Sequence, residues 1–292
     1  TPMLTVSLGL LAALGFGAAD FAGGMGAKRL HALAVTGSVA LVGLATLATV
    51  SALSADTWSV EAALWGGLSG VTGLAAIGLL YACLARGPMS ILSPTTALLS
   101  ALVPMTWGIA TGDGLSVWVY PALGLALVAV VLVGFVPDET AVRPTATALL
   151  MAIGSGLLIG LFYIFIDQAP VDSGITALVA NRVVQASIVV VIIGVWLATR
   201  GWRSLIKPGT SSVMSWPKLW ALIALGGVLD AVSNIAVLTG FRVGEMSIVA
   251  VLTALYPAGT ILLAAVVLRE RIQRVQWVGL ALALIASMLL AL

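Results

Sequence analysis

Apolar runs of roughly twenty residues, broken by short polar clusters, set the rhythm of the whole chain. A run of that length matches the thickness of a bilayer as an α-helix, and polar or Pro/Gly clusters mark the connections. The pattern predicts spans at roughly 4–27, 31–53, 60–85, 88–110, 115–136, 145–168, 173–198, 216–241, 245–268 and 274–292. The longest polar connections are PDETAVRPT (137–145) and RGWRSLIKPGTSS (200–212). Composition agrees: 61% of residues are hydrophobic and 8% charged, with mean hydropathy +1.18. Soluble domains carry about a quarter charged residues, so this chain belongs in lipid. The first apolar segment is span-length and lacks a cleavage pattern, so it reads as a span rather than a leader. With Cys83 and His31 the only residues of their types, neither an internal disulfide nor a zinc cluster built from them is available.

The spans repeat. LARGPMSILSPTTALLSAL (84–102) falls on FRVGEMSIVAVLTALYPAG (241–259) with a constant shift of 157 residues, as from Met89 to Met246. LGLALVAV (123–130) matches VGLALALI (278–285) after a two-residue slip, and GLLAALGFGAAD (9–20) lies on GLLIGLFYIFID (156–167), pairing Asp20 with Asp167. Each repeat holds five spans, an odd number, so the second must enter the membrane upside down, a recurring transporter design. The expected fold is an all-α integral membrane protein with ten transmembrane helices in two inverted five-helix repeats, 1–138 and 139–292.

With this duplication, the chain resembles the EamA-type ten-span carriers of the drug/metabolite transporter superfamily. The resemblance rests also on LGFGAADFAGG (14–24), ARGPMSILSPTTALLSALVP (85–104) and FRVGEMSIVAVLTALYPAGTILLAAVVLRERIQRVQWVGLALAL (241–284). It implies movement of small metabolites, amino acids, sugars or drugs without ATP. Two departures leave the substrate open: the tryptophan that relatives often have near Gly15 is missing, and Gly112-Asp113 stands where the second half has Arg269-Glu270.

Charge sets the expected orientation. Lys28, Arg29, Arg86, Arg143, Arg200, Arg203, Lys207, Lys218, Arg269, Arg271 and Arg274 fall on one side, and Arg242 alone on the other. The positive-inside rule puts the eleven-charge side in the cytoplasm of a multi-pass cell-membrane protein, with both termini outside.

Ionisable groups inside spans are expensive and mark function or structural pairing. In GGVLDAVSNIAVL (226–238), Gly226, Asp230 and Asn234 are spaced by four, so they share one helix face. Shifting by 157 puts Gly73 opposite Asp230 and Ile77 opposite Asn234, so the polar pair is an addition to one half. Asp230 either binds substrate or a proton, or holds a buried ion pair. Its expected cation is Arg182 in VANRVVQAS (179–187), where Asn181 and Gln185 extend the polar face. Arg182 either contacts substrate or locks onto Asp230. Asp20 is a proton site, or a carboxylate paired with Lys28 or Arg29. Tyr81, Tyr163 and Tyr256 could stack on a substrate, although membrane aromatics also serve as packing and anchors. Pro94, Pro104 and Pro257 make bends plausible in the fourth and ninth spans.

These features predict a secondary transporter moving a small metabolite or drug by alternating access, with export as the expected direction and proton coupling as one driving force. No phosphate-cradling glycine loop is present, and no cofactor is expected. The expected partners are a small-molecule substrate and the lipid bilayer, with no nucleic acid, in a monomer or homodimer. An aspartyl-type intramembrane enzyme and a channel-like protein remain as alternatives.

Overall fold

A computed structural model describes residues 2–54, 56–84, 86, 89–135, 144–206, 215–269 and 271–292. Its helices are α1 (Pro2–Ala27), α2 (Ala32–Ser54), α3 (Val60–Leu84), α4 (Met89–Thr111), α5 (Val119–Gly134), α6 (Ala146–Asp167), α7 (Thr176–Arg200), α8 (Trp216–Val243), α9 (Met246–Thr253), α10 (Tyr256–Val267) and α11 (Arg274–Ala291). Short 3-10 turns occupy Val171–Ser173 and Trp202–Leu205. Among the described residues the protein is all-helical, and an isolated bridge joins Leu30 to Ile206.

A helix stands at each expected span. Among the described residues, eight segments are long and apolar enough to cross a membrane, counting Met246–Val267 as one, while α5 is a shorter apolar helix. The prolines divide the expectation. Pro94 and Pro104 sit inside a continuous α4. The ninth span breaks after Thr253, and Pro257 takes the first turn of α10, where its missing N–H leaves no helical bond unmade. Nor do hydroxyls heal that break. The Thr260 hydroxyl donates to the Gly17 carbonyl of α1 at 3.0 Å, and the buried Thr253 hydroxyl has no hydrogen-bond partner among the described residues.

Lipid gives helices no hydrophobic reason to associate, so close backbone approach at small residues does much of the holding. A Cβ on Gly17 would lie 2.5 Å from the Tyr256 carbonyl oxygen, so α1 and α10 cross nearly backbone to backbone. α3 receives α7 in the same way: a Cβ on Gly66 would meet the Ala177 carbonyl oxygen at 2.2 Å, and one on Gly70 the Asn181 carbonyl oxygen at 2.7 Å. α1 packs on α8, α9 and α10, while α3 packs on α6 and α7. α4 lies against α6 and α9, α2 bridges α7 and α8, and α5 pairs with α11. Among the described residues the buried core falls into four clusters, two of them large. One centres on Tyr163, Ile166, Val237, Phe241 and Val249, and the other on Ala101, Ala126, Val130, Leu252 and Ala286. Many of the remaining large apolar side chains, such as Val191, Val195, Leu225 and Leu284, point outward, as lipid-facing residues must.

Candidate functional site

The polar residues of α7 and α8 meet inside the bundle. Arg182 forms an ion pair with Asp230 through Nη2 and Oδ2. Arg182 Nη1 also donates to Gln185 Oε1 at 2.9 Å. One turn beyond Asp230, Asn234 Nδ2 donates to the Asp230 backbone carbonyl at 2.8 Å and lies 3.4 Å from its carboxylate. Only about a tenth of the Arg182 side chain and a fifth of the Asp230 side chain are accessible, so the pair is largely desolvated without being sealed. Arg182 and Asp230 are thus paired across α7 and α8 in this structure.

Small residues on neighbouring helices make room for this cluster. A Cβ on Gly43 of α2 would come within 3.6 Å of Arg182 Nε, and one on Gly73 of α3 within 3.0 Å of Gln185 Nε2. Asn181 turns toward α3, where its Nδ2 donates to Ser69 Oγ at 2.7 Å in a buried helix-to-helix bond. Ser69 and Phe162, which flanks Gly73, were absent from the sequence expectations. The Asn181–Ser69 contact joins residues 112 positions apart, a distance no local pattern spans.

Asp20 is differently placed. On α1 it continues the face of Gly9, Ala13 and Phe16. A Cβ on Gly9 would meet the Leu252 side chain at 2.9 Å, Ala13 is buried, and Phe16 packs on the core. Asp20 itself is exposed, and nothing lies within 4 Å of a Cβ built on Gly24 one turn further. The inward face of α1 therefore runs out of packed core into open space near Ala27. The expected pairing of Asp20 with Lys28 or Arg29 is absent from the ion pairs among the described residues, and Arg29 instead stacks over the Trp216 ring at 4.1 Å. Asp20 remains within electrostatic reach of Asp230. Tyr163 is within reach of Asp20, Asp230 and Tyr256, and its ring packs edge-on against Phe241 at 5.9 Å. The expected residues Asp20, Tyr163, Tyr256 and Asp230 thus gather around one region, with Arg182, Gln185 and Asn234 at its α7–α8 wall. The side chain of Tyr81 lies outside the described residues, as do Arg143, Lys207 and Glu270.

The two ends of the bundle differ. At the end holding the start of α1, connections of the first half bond to connections of the second. The Asp113 carboxylate accepts from the Ser247 backbone N–H at 2.9 Å and from its hydroxyl, capping the start of α9. Glu245 accepts from the Gly114 N–H at 3.2 Å, and Asp56 accepts from the Ile175 N–H at 3.0 Å. Partial burial, followed by the neighbouring Asp113 carboxyl, raises the Glu245 pKa above its ordinary value. At the other end the His31 N–H donates to the Leu205 carbonyl at 2.7 Å, and His31 stacks on Trp196 as an interfacial residue would. This is the end onto which Asp20 and Gly24 open.

A sequence model of the EamA-like transporter family matches residues 146–292, half of the chain. The chain belongs to the EamA-like transporter family. Family membership makes it a multi-pass membrane protein of the drug/metabolite transporter type, and the matched half contains the whole α7–α8 cluster. One solved structure, titled only "Crystal structure of protein", is similar to this EamA-family chain, with a TM-score of 0.69 over 98% of this chain and 96% of that one. At 14% identity that likeness concerns the fold alone. No curated protein matches the chain.

Proposed function

We propose that this EamA-family protein is a secondary carrier that exports a small metabolite or drug across the cytoplasmic membrane by alternating access. The carrying observation is the accessible Asp20 carboxylate set within electrostatic reach of a locked Arg182–Asp230 pair. An ion pair that substrate can compete for couples binding to helix movement, because its two members sit on different helices. Inverted halves supply the two states, and the packing supports them. α1 lies on α8 as α3 lies on α6, and α2 touches α8 as α3 touches α7. These are the pairings that exchange when each helix is replaced by its repeat mate. The laced end around Asp113 and Asp56 is the closed outer gate, and the open end near Asp20 faces the cytoplasm, consistent with its excess of Lys and Arg. Asp20 and Asp230 carry substrate or a coupling proton, Arg182 and Gln185 orient the substrate, Tyr163 and Tyr256 shape its apolar part, and Asn181 holds α7 in place.

Thermal-shift screening of the purified protein against a metabolite library, followed by counterflow of the hits in proteoliposomes, tests this reading. A ligand that prefers the folded state raises the melting temperature, and saturable, gradient-driven counterflow is expected. Flux that never saturates would mark a channel, and a chemically altered hit would mark an enzyme.

A further inference from the structure

Close helix contacts set a register between α1 and α6 that differs from the sequence match by one turn. By the shift of 157 residues, Thr96, Leu99 and Val103 of α4 correspond to Thr253, Tyr256 and Thr260 of the ninth span. A Cβ on Gly160 of α6 would run into the Val103 side chain, and one on Gly17 of α1 would meet the Thr260 backbone nitrogen at 2.7 Å. A Cβ on Gly156 would meet Leu99 Cβ at 2.6 Å and the Thr96 carbonyl oxygen at 2.8 Å. One on Gly9 would meet Leu252 Cβ at 2.9 Å and Val249 Cα at 3.5 Å, a turn earlier along the partner span. Both contacts therefore pair Gly17 with Gly160 and Ala13 with Gly156, a shift of 143 residues, as from Gly17 to Gly160. This register sets Gly9 against Ala152, Asp20 against Tyr163 and Gly24 against Asp167.

Corresponding places then differ in three ways. The Thr96 hydroxyl donates to the Ala152 carbonyl of α6 at 3.1 Å. Its counterpart would run from Thr253 to the Gly9 carbonyl of α1, yet the Thr253 hydroxyl is 1% exposed with no hydrogen-bond partner among the described residues. A buried hydroxyl gives up water there and gains nothing in return. α4 runs unbroken past Thr96, while α9 stops at Thr253. Asp20 is exposed and the space around Gly24 is open, while Tyr163 is only 9% exposed and Asp167 sits within electrostatic reach of Asp113 and Arg242 at the laced end. A bond made in one half and unmade at the matching place in the other is the form expected of inverted halves at one end of an exchange.

We propose that this asymmetry specifies the opposite state: on outward opening Thr253 bonds to Gly9 while Thr96 releases Ala152, and Tyr163 and Asp167 take the exposed places that Asp20 and Gly24 hold here. This rests on the carrier reading and deepens it by naming the residues of the outer doorway. The two threonines are opposed catches. Each bond stabilises one state only, so losing it shifts the population toward the other. Tyr163, whose ring now packs on Phe241, becomes a positioning residue on the path of release, with the Asp167 carboxylate one turn nearer the exit.

Gly24→Cys, Tyr163→Cys and Asp167→Cys, each alone in a Cys83→Ser background, are labelled with a membrane-impermeant thiol reagent added to either side of oriented membranes. Thr96→Val removes the catch of the present state. It is expected to raise labelling at 163 and 167 from the arginine-poor side, relative to labelling at 24 from the arginine-rich side, by about fivefold, the worth of one net hydrogen bond. Thr96→Ser keeps the hydroxyl and should match the wild type. Thr253→Val should lower the same ratio and leave the melting temperature unchanged or raised, because its hydroxyl bonds nothing here. A ratio that moves the same way in both valine variants, labelling that rises at both ends of Thr96→Val as in a loosened fold, or a position 163 that stays unreactive in Thr96→Val would overturn the proposal. Counterflow in liposomes separates the two levels. Saturable flux of a hit, with ratios unmoved by either threonine, leaves the carrier standing and removes the exchange, whereas ratios that shift as stated without flux of any hit remove the carrier and leave the two states.

Discussion

By the sequence shift of 157 residues α3 matches α8, with α2 and α7 preceding them in chain order, yet among the described residues only the second pair holds an internal ion pair. α2 has no charged residue, and α3 has only Glu61, in its first turn. Along the same stretch of the second half stand Asn181, Arg182, Gln185, Asp230 and Asn234. Where α8 has Asp230, α3 has Gly73, and that glycine is what admits Gln185. One pair is the mould and the other the cast. Similar apolar sequence can thus go with charge concentrated in one half, while the other half supplies space.

Breaking the charge pair is the largest expected effect. Asp230→Asn leaves Arg182 without its counter-charge, which costs about 3 kcal/mol, the lower end for a buried pair because this one is not sealed. The variant should still insert but lose transport. Arg182→Met with Asp230→Leu should recover much of the stability, read as melting temperature. A double variant no more stable than Asp230→Asn would show that the bare Arg182 charge is not what destabilises the single variant. Filling the mould comes next. Gly70→Val forces a branched side chain against the Asn181 carbonyl and should destabilise by about 1–3 kcal/mol. Gly43→Ala, with its 3.6 Å nearest approach, should be nearly silent. The Asn181–Ser69 bond is smaller still: a double-mutant cycle of Asn181→Ala and Ser69→Ala should return a coupling of about 0.5–1.5 kcal/mol.

The smallest effect lies at the seam between the halves. The carboxyl of Glu245 is held above its ordinary value of 4.5, by burial and then by Asp113, so this arrangement favours its protonated form. Its stabilising contribution is complete below that ordinary value and is lost as pH rises through the raised one. The melting temperature of the wild type, relative to Glu245→Gln, should therefore decline as pH rises above about 4.5, Glu's ordinary value. A constant difference would show that Glu245 does not titrate in the seam.

Much of this was legible in the chain. Span positions follow from apolar run length, which lipid enforces strictly. The Arg182–Asp230 pairing was readable because an internal arginine in one span needs a carboxylate, and Asp230 lay in the next. Three prolines looked alike in sequence, but only Pro257 coincides with a break. Whether a proline is absorbed or ends a helix depends on neighbours such as Gly134, which packs on Pro94. The Asp113 cap on Ser247 could not be seen either, since it joins connections 134 residues apart that meet only after folding. The departure at Gly112-Asp113 was visible, but its consequence was not.

At the centre of the account is a water-accessible chamber that the inward face of α1 shares with the α7–α8 cluster. Single cysteines at positions 20 and 24, in a Cys83→Ser background, can be exposed to a membrane-impermeant thiol reagent in oriented membranes, with 228 and 232 on the exposed flank of α8 as lipid-facing controls. The account predicts rapid labelling at 20 and 24 from the arginine-rich side and none at 228 or 232. Unreactive positions 20 and 24, or labelling no faster than at the lipid-facing controls, would contradict it.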